Sequence, residues 1–241
     1  GVSDMCDLVP RRRPVHAVTV GAGPFRLPSY TPWGILSIVR TTRHGYWDEV
    51  YTSKRADEVS WFQREPVQSM DLLRRDGRLP ASVIDVGAGE SVLVDHLLDG
   101  GVEDVTLLDV SGEALQRTVE RLGNPPSVHT VVADVTTWRP ERQYAAWHDR
   151  AVLHFLTDEA ERQAYARVAA AAVQPGGSAV IGVFACDGPD SCSGLPVQRF
   201  DADGLVALLG DDFELERLGD EHHLTPWGGD QHFVWVAMRR R

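Results

Sequence analysis

The stretch Val83-Ile-Asp-Val-Gly-Ala-Gly-Glu-Ser91 decides how this chain folds. An apolar run ends in an acid and a glycine pair. A helical pattern follows over residues 92–98, and a second apolar run, residues 105–108, ends in another acid, Asp109. Short apolar runs bounded by turn residues read as buried strands, so the whole reads strand, tight turn, helix, strand. In an open α/β sheet a ligand binds beyond the carboxyl ends of the strands. Glycine at such an end tolerates positive φ and lets a ligand approach the backbone. Gly87 and Gly89 therefore mark a ligand cradle. Asp109, at the end of the next strand, is placed to accept from ribose hydroxyls.

The same alternation continues outward. Ser111 caps a helix that carries Ala114, Leu115, Val119 and Leu122 on one face. Residues 129–133 read as a third strand, and residues 144–147 lead into a fourth ahead of Asp149. Residues 158–173 form an alanine-rich helix stopped by Pro175-Gly176-Gly177. Residues 178–184 are uninterruptedly apolar, as in a strand buried on both faces. Residues 213–218 and 233–238 alternate apolar and polar around Pro226, Gly228 and Gly229, which reads as an antiparallel pair. The fold class expected is α/β: a doubly wound, mostly parallel, Rossmann-like sheet with an antiparallel C-terminal strand pair. Ahead of it, Val67, Met70, Leu72 and Leu73 fit a short helix ending at Gly77.

A nucleotide-sized ligand over this turn could be a dinucleotide, but the details disfavour one. The dinucleotide fingerprint needs a third glycine where this chain has Val92. A diphosphate also wants a bare helix N-terminus, whereas this loop carries Asp85 and Glu90. Acids repel a diphosphate and attract an ammonium and a sulfonium. S-adenosylmethionine carries both cations and no phosphate.

At this point the chain resembles the class I S-adenosylmethionine-dependent methyltransferases. Their acid-x-Gly-x-Gly-x-Gly motif is met by Asp85, Gly87 and Gly89, with Ser91 replacing the last glycine. The resemblance implies that Asp109 and its neighbour Val110 bind the ribose. It also implies that Ala133-Asp134, with Val135, contacts adenine, Asp134 accepting from the exocyclic amine. His148-Asp149-Arg150 falls where that family faces its methyl acceptor, and Pro175-Gly176-Gly177 matches its turn before the fifth strand. Trp147-His-Asp-Arg-Ala-Val-Leu153 is similar to the Asp-Arg motif of thiopurine and other thiol methyltransferases. Trp47-Asp-Glu-Val-Tyr51, with Trp61 and Phe62, is similar to the aromatic segment those enzymes and the halide/thiol methyltransferases fold over the donor. The resemblance therefore implies methyl transfer from S-adenosylmethionine to a small-molecule acceptor, favouring a thiol or another soft nucleophile. A similar aromatic front in some protein-lysine methyltransferases keeps that alternative open.

A thiol acceptor needs thiolate character, which a nearby cation or imidazole supports. Arg150, His148 and His154 are the candidates, with Asp149 as Arg150's neighbour. Two of these also have plainer readings: Asp149-Arg150 as an ion pair at a strand end, and His154 as a packed helix residue in an apolar run. Trp61 and Phe62 are expected against the donor, or in the core. His222, His223 and His232, taken with Cys186 and Cys192, match no zinc spacing, so no metal is expected.

The bulk composition sets the outer limits. A formal charge of −11 argues against sequence-independent nucleic-acid binding, which needs a basic face. No apolar run approaches the roughly 20 residues that span a bilayer. Three cysteines are too few for a disulfide framework, which favours a reducing, cytoplasmic setting. Between Leu8 and Trp47 there are six arginines and no acid. Residues 1–44 thus read as an irregular basic N-terminal extension and residues 45–241 as the methyltransferase domain. The extension is open to three readings: a mitochondrial-type targeting segment, a cover over the main domain, or an accessory tail.

Overall fold

The computed structural model describes residues 43–241. Five strands lie parallel to one another: β1 (Val83–Val86), β2 (Val105–Asp109), β3 (Val128–Val132), β4 (Tyr144–Arg150) and β5 (Val173–Phe184). A separate two-stranded ribbon follows, β6 (Ser191–Cys192) with β7 (Leu195–Pro196). The chain ends in β8 (Phe213–Leu224) and β9 (Asp230–Arg240). The main sheet has the order β3-β2-β1-β4-β5-β9-β8, and β9 runs antiparallel to both its neighbours. This is the expected Rossmann-like architecture.

Among the described residues six α-helices accompany the sheet: α1 (Arg43–Ser53), α2 (Val67–Leu73), α3 (Leu93–Asp99), α4 (Gly112–Arg121), α5 (Glu159–Ala172) and α6 (Ala202–Leu209). Strand side chains alternate between faces, and both faces are apolar. Ile84, Trp147, Ile181 and Val236 meet Tyr165 and Ala169 of α5 and Leu205 of α6. Val83, Leu107, Ala146 and Trp235 meet Leu73 of α2, Leu93 and Leu97 of α3, and Leu115 of α4. Ser111 caps α4 as expected, accepting from the Ala114 N–H.

Four boundaries depart from the sequence reading. Arg43 and His44 are helical, so α1 begins ahead of the boundary at residue 45; residues 1–42 lie outside the described residues. α2 stops at Leu73, because Asp76 and Gly77 both take positive φ in a tight turn closed by paired Arg75 and Arg78 backbones. Pro175-Gly176-Gly177 is not a turn between helix and strand. β5 starts at Val173, directly after α5, and pairs there with Tyr144; pairing resumes at Ser178 with Ala146, so the Pro-Gly-Gly is a bulge inside the strand. The C-terminal strands are also longer than their alternating cores. No helix among the described residues is long and apolar enough to cross a membrane.

One buried polar chain ties β4 to α5. Trp147 donates its indole N–H to the Tyr165 hydroxyl at 3.0 Å, and that hydroxyl donates to Asp149 Oδ2 at 2.6 Å. Asp149 also accepts from the Val152 and Leu153 N–H groups at 2.8 and 3.1 Å. It thereby caps the one-turn helix Leu153–Phe155. Tyr165→Phe removes one donor from a fully buried carboxylate and the acceptor for the indole. The expected loss is about 1–3 kcal/mol in urea unfolding; an unchanged midpoint would mean that these bonds do not hold the helix to the sheet.

Candidate active site

β1 and β4 are adjacent in the sheet although β2 and β3 separate them in sequence. Strand order therefore reverses between them, and their carboxyl ends open a crevice. The glycine turn after β1 forms its floor. Gly87 has φ +66° and Gly89 φ +47°. A Cβ at Gly87 would stand 2.0 Å from Val152 Cγ2, and one at Gly89 would stand 2.1 Å from the Tyr51 hydroxyl. Both glycines are required by conformation and by space.

Asp109 pins this turn. Its Oδ2 accepts from the Gly89 N–H at 2.9 Å, and its Oδ1 from the Ser111 N–H at 2.8 Å. Burial pushes its pKa up to about 6, against the pull of those two backbone bonds. A carboxylate offers about four acceptor sites, so these bonds leave acceptor capacity on Asp109, which borders the crevice.

The crevice has two lobes. One is lined on the sheet side by Leu108, Val110, Ala133, Asp134 and Val135, and from above by Arg43 and Trp47. The other is lined by Phe62, Ser69, Asp85, Glu90 and His148. Tyr51, Trp61, Gly87 and Arg150 border both. Trp47 meets Trp61 and Phe155 edge-on, with ring centroids 5.9 and 5.1 Å apart, so the aromatic front forms a continuous wall.

α1 is held over the first lobe mainly by polar contacts. Arg43 donates to Asp134 at 2.7 Å and to Glu161 at 2.9 Å. Asp48 accepts from the Ser111 hydroxyl at 2.6 Å, Arg117 donates to the Tyr51 carbonyl at 2.8 Å, and His44 bonds the Val110 carbonyl. Burial raises the Asp134 pKa, but bonds from Thr136 and the Arg43 cation outweigh it and leave the carboxyl below its usual range.

In the second lobe Asp85 and His148 are register partners on β1 and β4. His148 Nδ1 lies 2.7 Å from Asp85 Oδ1, and its Nε2 lies 2.9 Å from the Ser69 hydroxyl on α2. All three are buried. The imidazole is spent on both nitrogens and fixes the orientation of Asp85.

Arg150 lies two residues along β4 from His148, on the same face. Its side chain is 9% exposed. Nη1 donates to the Trp61 carbonyl at 3.0 Å, and the guanidinium carbon sits 4.5 Å above the Phe233 ring. Nε comes no closer than 3.8 Å to Glu221, and neither Nε nor Nη2 has a hydrogen-bond partner. Burial lowers its pKa, opposed by Glu221. The buried guanidinium is thus paired with Glu221 and keeps two nitrogens without a hydrogen bond. Cys192, a free and buried thiol, lines the same stretch of the crevice.

The sequence-derived residues thus divide. Asp85, Gly87, Gly89, Asp109, Val110, Asp134, Val135, Trp61, Phe62, His148 and Arg150 border the crevice. Asp149 does not line it: strand alternation turns it to the opposite face, into the Tyr165 bonds. His154 is buried between Phe155 and Phe184, with ring centroids 4.5 Å from each and both nitrogens unpartnered. Burial, reinforced by the nearby Arg150 cation, pulls its pKa down to about 3, too low for an effective base near neutral pH. Arg43, Ser69 and Glu221 were missed. The four-residue spacing of Arg43, Trp47 and Tyr51 was the available signal for the first; nothing local marks the other two.

Comparison with known proteins agrees with this geometry. Residues 83–177 match the family model of a methyltransferase domain. Malonyl-[acyl-carrier protein] O-methyltransferase 1 of Ilyobacter polytropus is 21% identical over 108 residues, covering 44% of this chain and 40% of that protein. The match therefore spans less than half of that relative's length. A structure described as the conversion of a disulfide bond into a thioacetal group during echinomycin biosynthesis superposes with a TM-score of 0.65 at 21% identity, covering 81% of this chain and 91% of the other. The 1,6-didemethyltoxoflavin-N1-methyltransferase of Burkholderia thailandensis, with bound 1,6-didemethyltoxoflavin and S-adenosylhomocysteine, gives 0.60 at 24% identity, covering 82% and 83%. The matched segment, residues 83–177, is thus similar to a methyltransferase domain, and the fold of the described residues is the one these solved structures share.

His154 supplies a pH test. Its folded pKa of about 3 lies below the unfolded value of 6.5, so the unfolded chain binds the extra proton and stability falls as pH drops from 6.5 towards 3. By pH 5 the loss amounts to roughly 2 kcal/mol. His154→Phe, which suits the aromatic surroundings, is expected to remove this slope. Equal slopes between pH 7 and 5 for both proteins in urea titrations would contradict a buried neutral imidazole.

Proposed function

We propose that the protein transfers a methyl group from S-adenosylmethionine to a small-molecule acceptor, a thiol or other soft nucleophile, by in-line displacement. The observation that carries the reading is the crevice itself: a glycine cradle at one end and, at the other, the buried Arg150 guanidinium with two donors to spare.

The residues present suit this donor. Gly87 and Gly89 leave backbone open where a side chain would intrude. Asp109 keeps acceptor sites for a ribose diol, and the apolar slot beside Val110 and Val135 takes a flat base, with Asp134 at its rim. Asp85, oriented by His148, and Glu90 put negative charge in the second lobe, where an ammonium would rest. When bound, the donor supplies an electrophilic methyl on a sulfonium. The chain's own part is to align the acceptor, exclude water and hold the acceptor's charge. Trp47, Tyr51 and Trp61 wall the crevice against water. Arg150 presents Nε and Nη2 to an anionic nucleophile and favours its deprotonated form. No covalent enzyme intermediate is required.

The relatives act on different atoms. They include an O-methyltransferase, N-methyltransferases and a protein of disulfide-to-thioacetal chemistry, so the preference for sulfur rests on Arg150 and the resemblance around it. A crevice covered by α1 suits a small molecule better than a protein side chain.

Two measurements test the proposal. Asp109→Asn should weaken binding of S-adenosylhomocysteine by about 1–3 kcal/mol in calorimetry, because an amide offers fewer acceptor sites to the diol. Incubation with labelled donor and a panel of thiols, amines and phenols should label thiols first. Arg150→Met should lower that transfer by at least ~10-fold, the scale of one lost charge-assisted bond, with donor binding retained. Label confined to nitrogen or oxygen acceptors overturns the sulfur assignment, and label in a protein band favours lysine methylation.

A further inference from the structure

Away from the crevice, a second cluster of titratable side chains lies near the turn of the β8–β9 hairpin. His222 and His232 are direct register partners there, and Asp220 stands two residues before His222 on the same face of β8. The two imidazoles are stacked, with centroids 4.3 Å apart and planes 6° from parallel. One candidate ligand atom from each of Asp220, His222 and His232 lies within 4.8 Å of the others. We propose that these three residues bind one divalent transition ion of the zinc type, at a site separate from the methyl-transfer crevice.

The donor set is the first argument. Two imidazoles and one carboxylate suit zinc and its neighbours in the first transition row, and suit calcium or magnesium poorly. Three protein ligands leave a fourth position for water or another small ligand.

The surroundings are the second and independent argument. His222 Nδ1 lies 2.9 Å from Asp230 Oδ2, and His232 Nδ1 lies 2.6 Å from Asp187 Oδ1. Each imidazole thus has its Nδ1 engaged by a carboxylate outside the trio, which leaves Nε2 for the ion. That is the arrangement by which carboxylates orient metal-bound histidines and fix their tautomer. His232 Nε2 already points at Asp220 Oδ1, 2.7 Å away. Bond lengths of about 2.0–2.2 Å to the ion require the three atoms to draw somewhat closer. The exposed side chains of His222 and Asp220 are free to rotate. Three carboxylates, Asp187, Asp220 and Asp230, stand against the two imidazoles and supply the negative potential. The strand pairing supplies the preorganisation, since β8 and β9 are bonded along their whole length.

The test uses the full chain, stripped with a chelator and dialysed against zinc chloride alone, then against nickel chloride. One ion per chain is expected, held in the micromolar range. His222→Ala and His232→Ala should each weaken binding by at least tenfold, and Asp187→Asn, which removes an orienting carboxylate, by roughly 10- to 100-fold. Near-ultraviolet circular dichroism and binding of S-adenosylhomocysteine should be unchanged in all three, because none of these residues lines the crevice. Absence of stoichiometric binding overturns the proposal. So does one-to-one binding that survives both histidine substitutions, which would place the ion elsewhere.

Discussion

The structure hangs on one buried carboxylate. Asp109 ends β2, yet its two oxygens hold the backbone of the glycine turn after β1 and the N-terminus of α4. It therefore fixes two strand-to-helix connections at once. Without it Gly89 would keep its positive φ but lose its anchor, and the cradle would lose its relation to the next strand. The cost is visible in its raised pKa, near 6: burial disfavours the charge, and two N–H donors offset part of the penalty. A ligand diol in the crevice would offset more.

Much of this was legible before any coordinates. The two apolar runs with terminal acids gave the parallel sheet and its switch point, because only one handedness and one end of such a sheet can host a ligand. What failed was local. Asp149 and Arg150 were read as a unit, although adjacent strand residues point to opposite faces. Alternation assigns Arg150 to the crevice with His148, and sends Asp149 to Tyr165. Arg43 and His44 of α1 fall at the end of a stretch that reads as irregular for its prolines, glycines and lack of a sustained period; α1 is held by ion pairs and hydrogen bonds that no periodicity announces. Ser69 and Glu221 lie far from β4 in sequence and meet it only through the fold. The Pro-Gly-Gly was read as a stop signal, yet a strand can absorb those residues as a bulge.

The two faces of β4 illustrate how one strand serves two ends. Towards α5 it carries Trp147 and Asp149, joined through the Tyr165 hydroxyl, and that side is closed. Towards α2 and β9 it carries His148 and Arg150. There the bonding is complete for the imidazole and incomplete for the guanidinium. Orphaned donors and acceptors are rare in folded interiors. Among the described residues, Arg150 and the neighbouring His154 are two that keep buried nitrogens without a hydrogen bond.

Arg43 joins α1 to Asp134 on one side and to Glu161 on the other. All three side chains are about one-third exposed, so ions in solution can reach and screen this clasp. The strand ends beneath it rest on backbone bonds and buried contacts that salt hardly touches. Cover and floor of the crevice therefore respond to different variables: ionic strength loosens the roof while leaving the foundation intact.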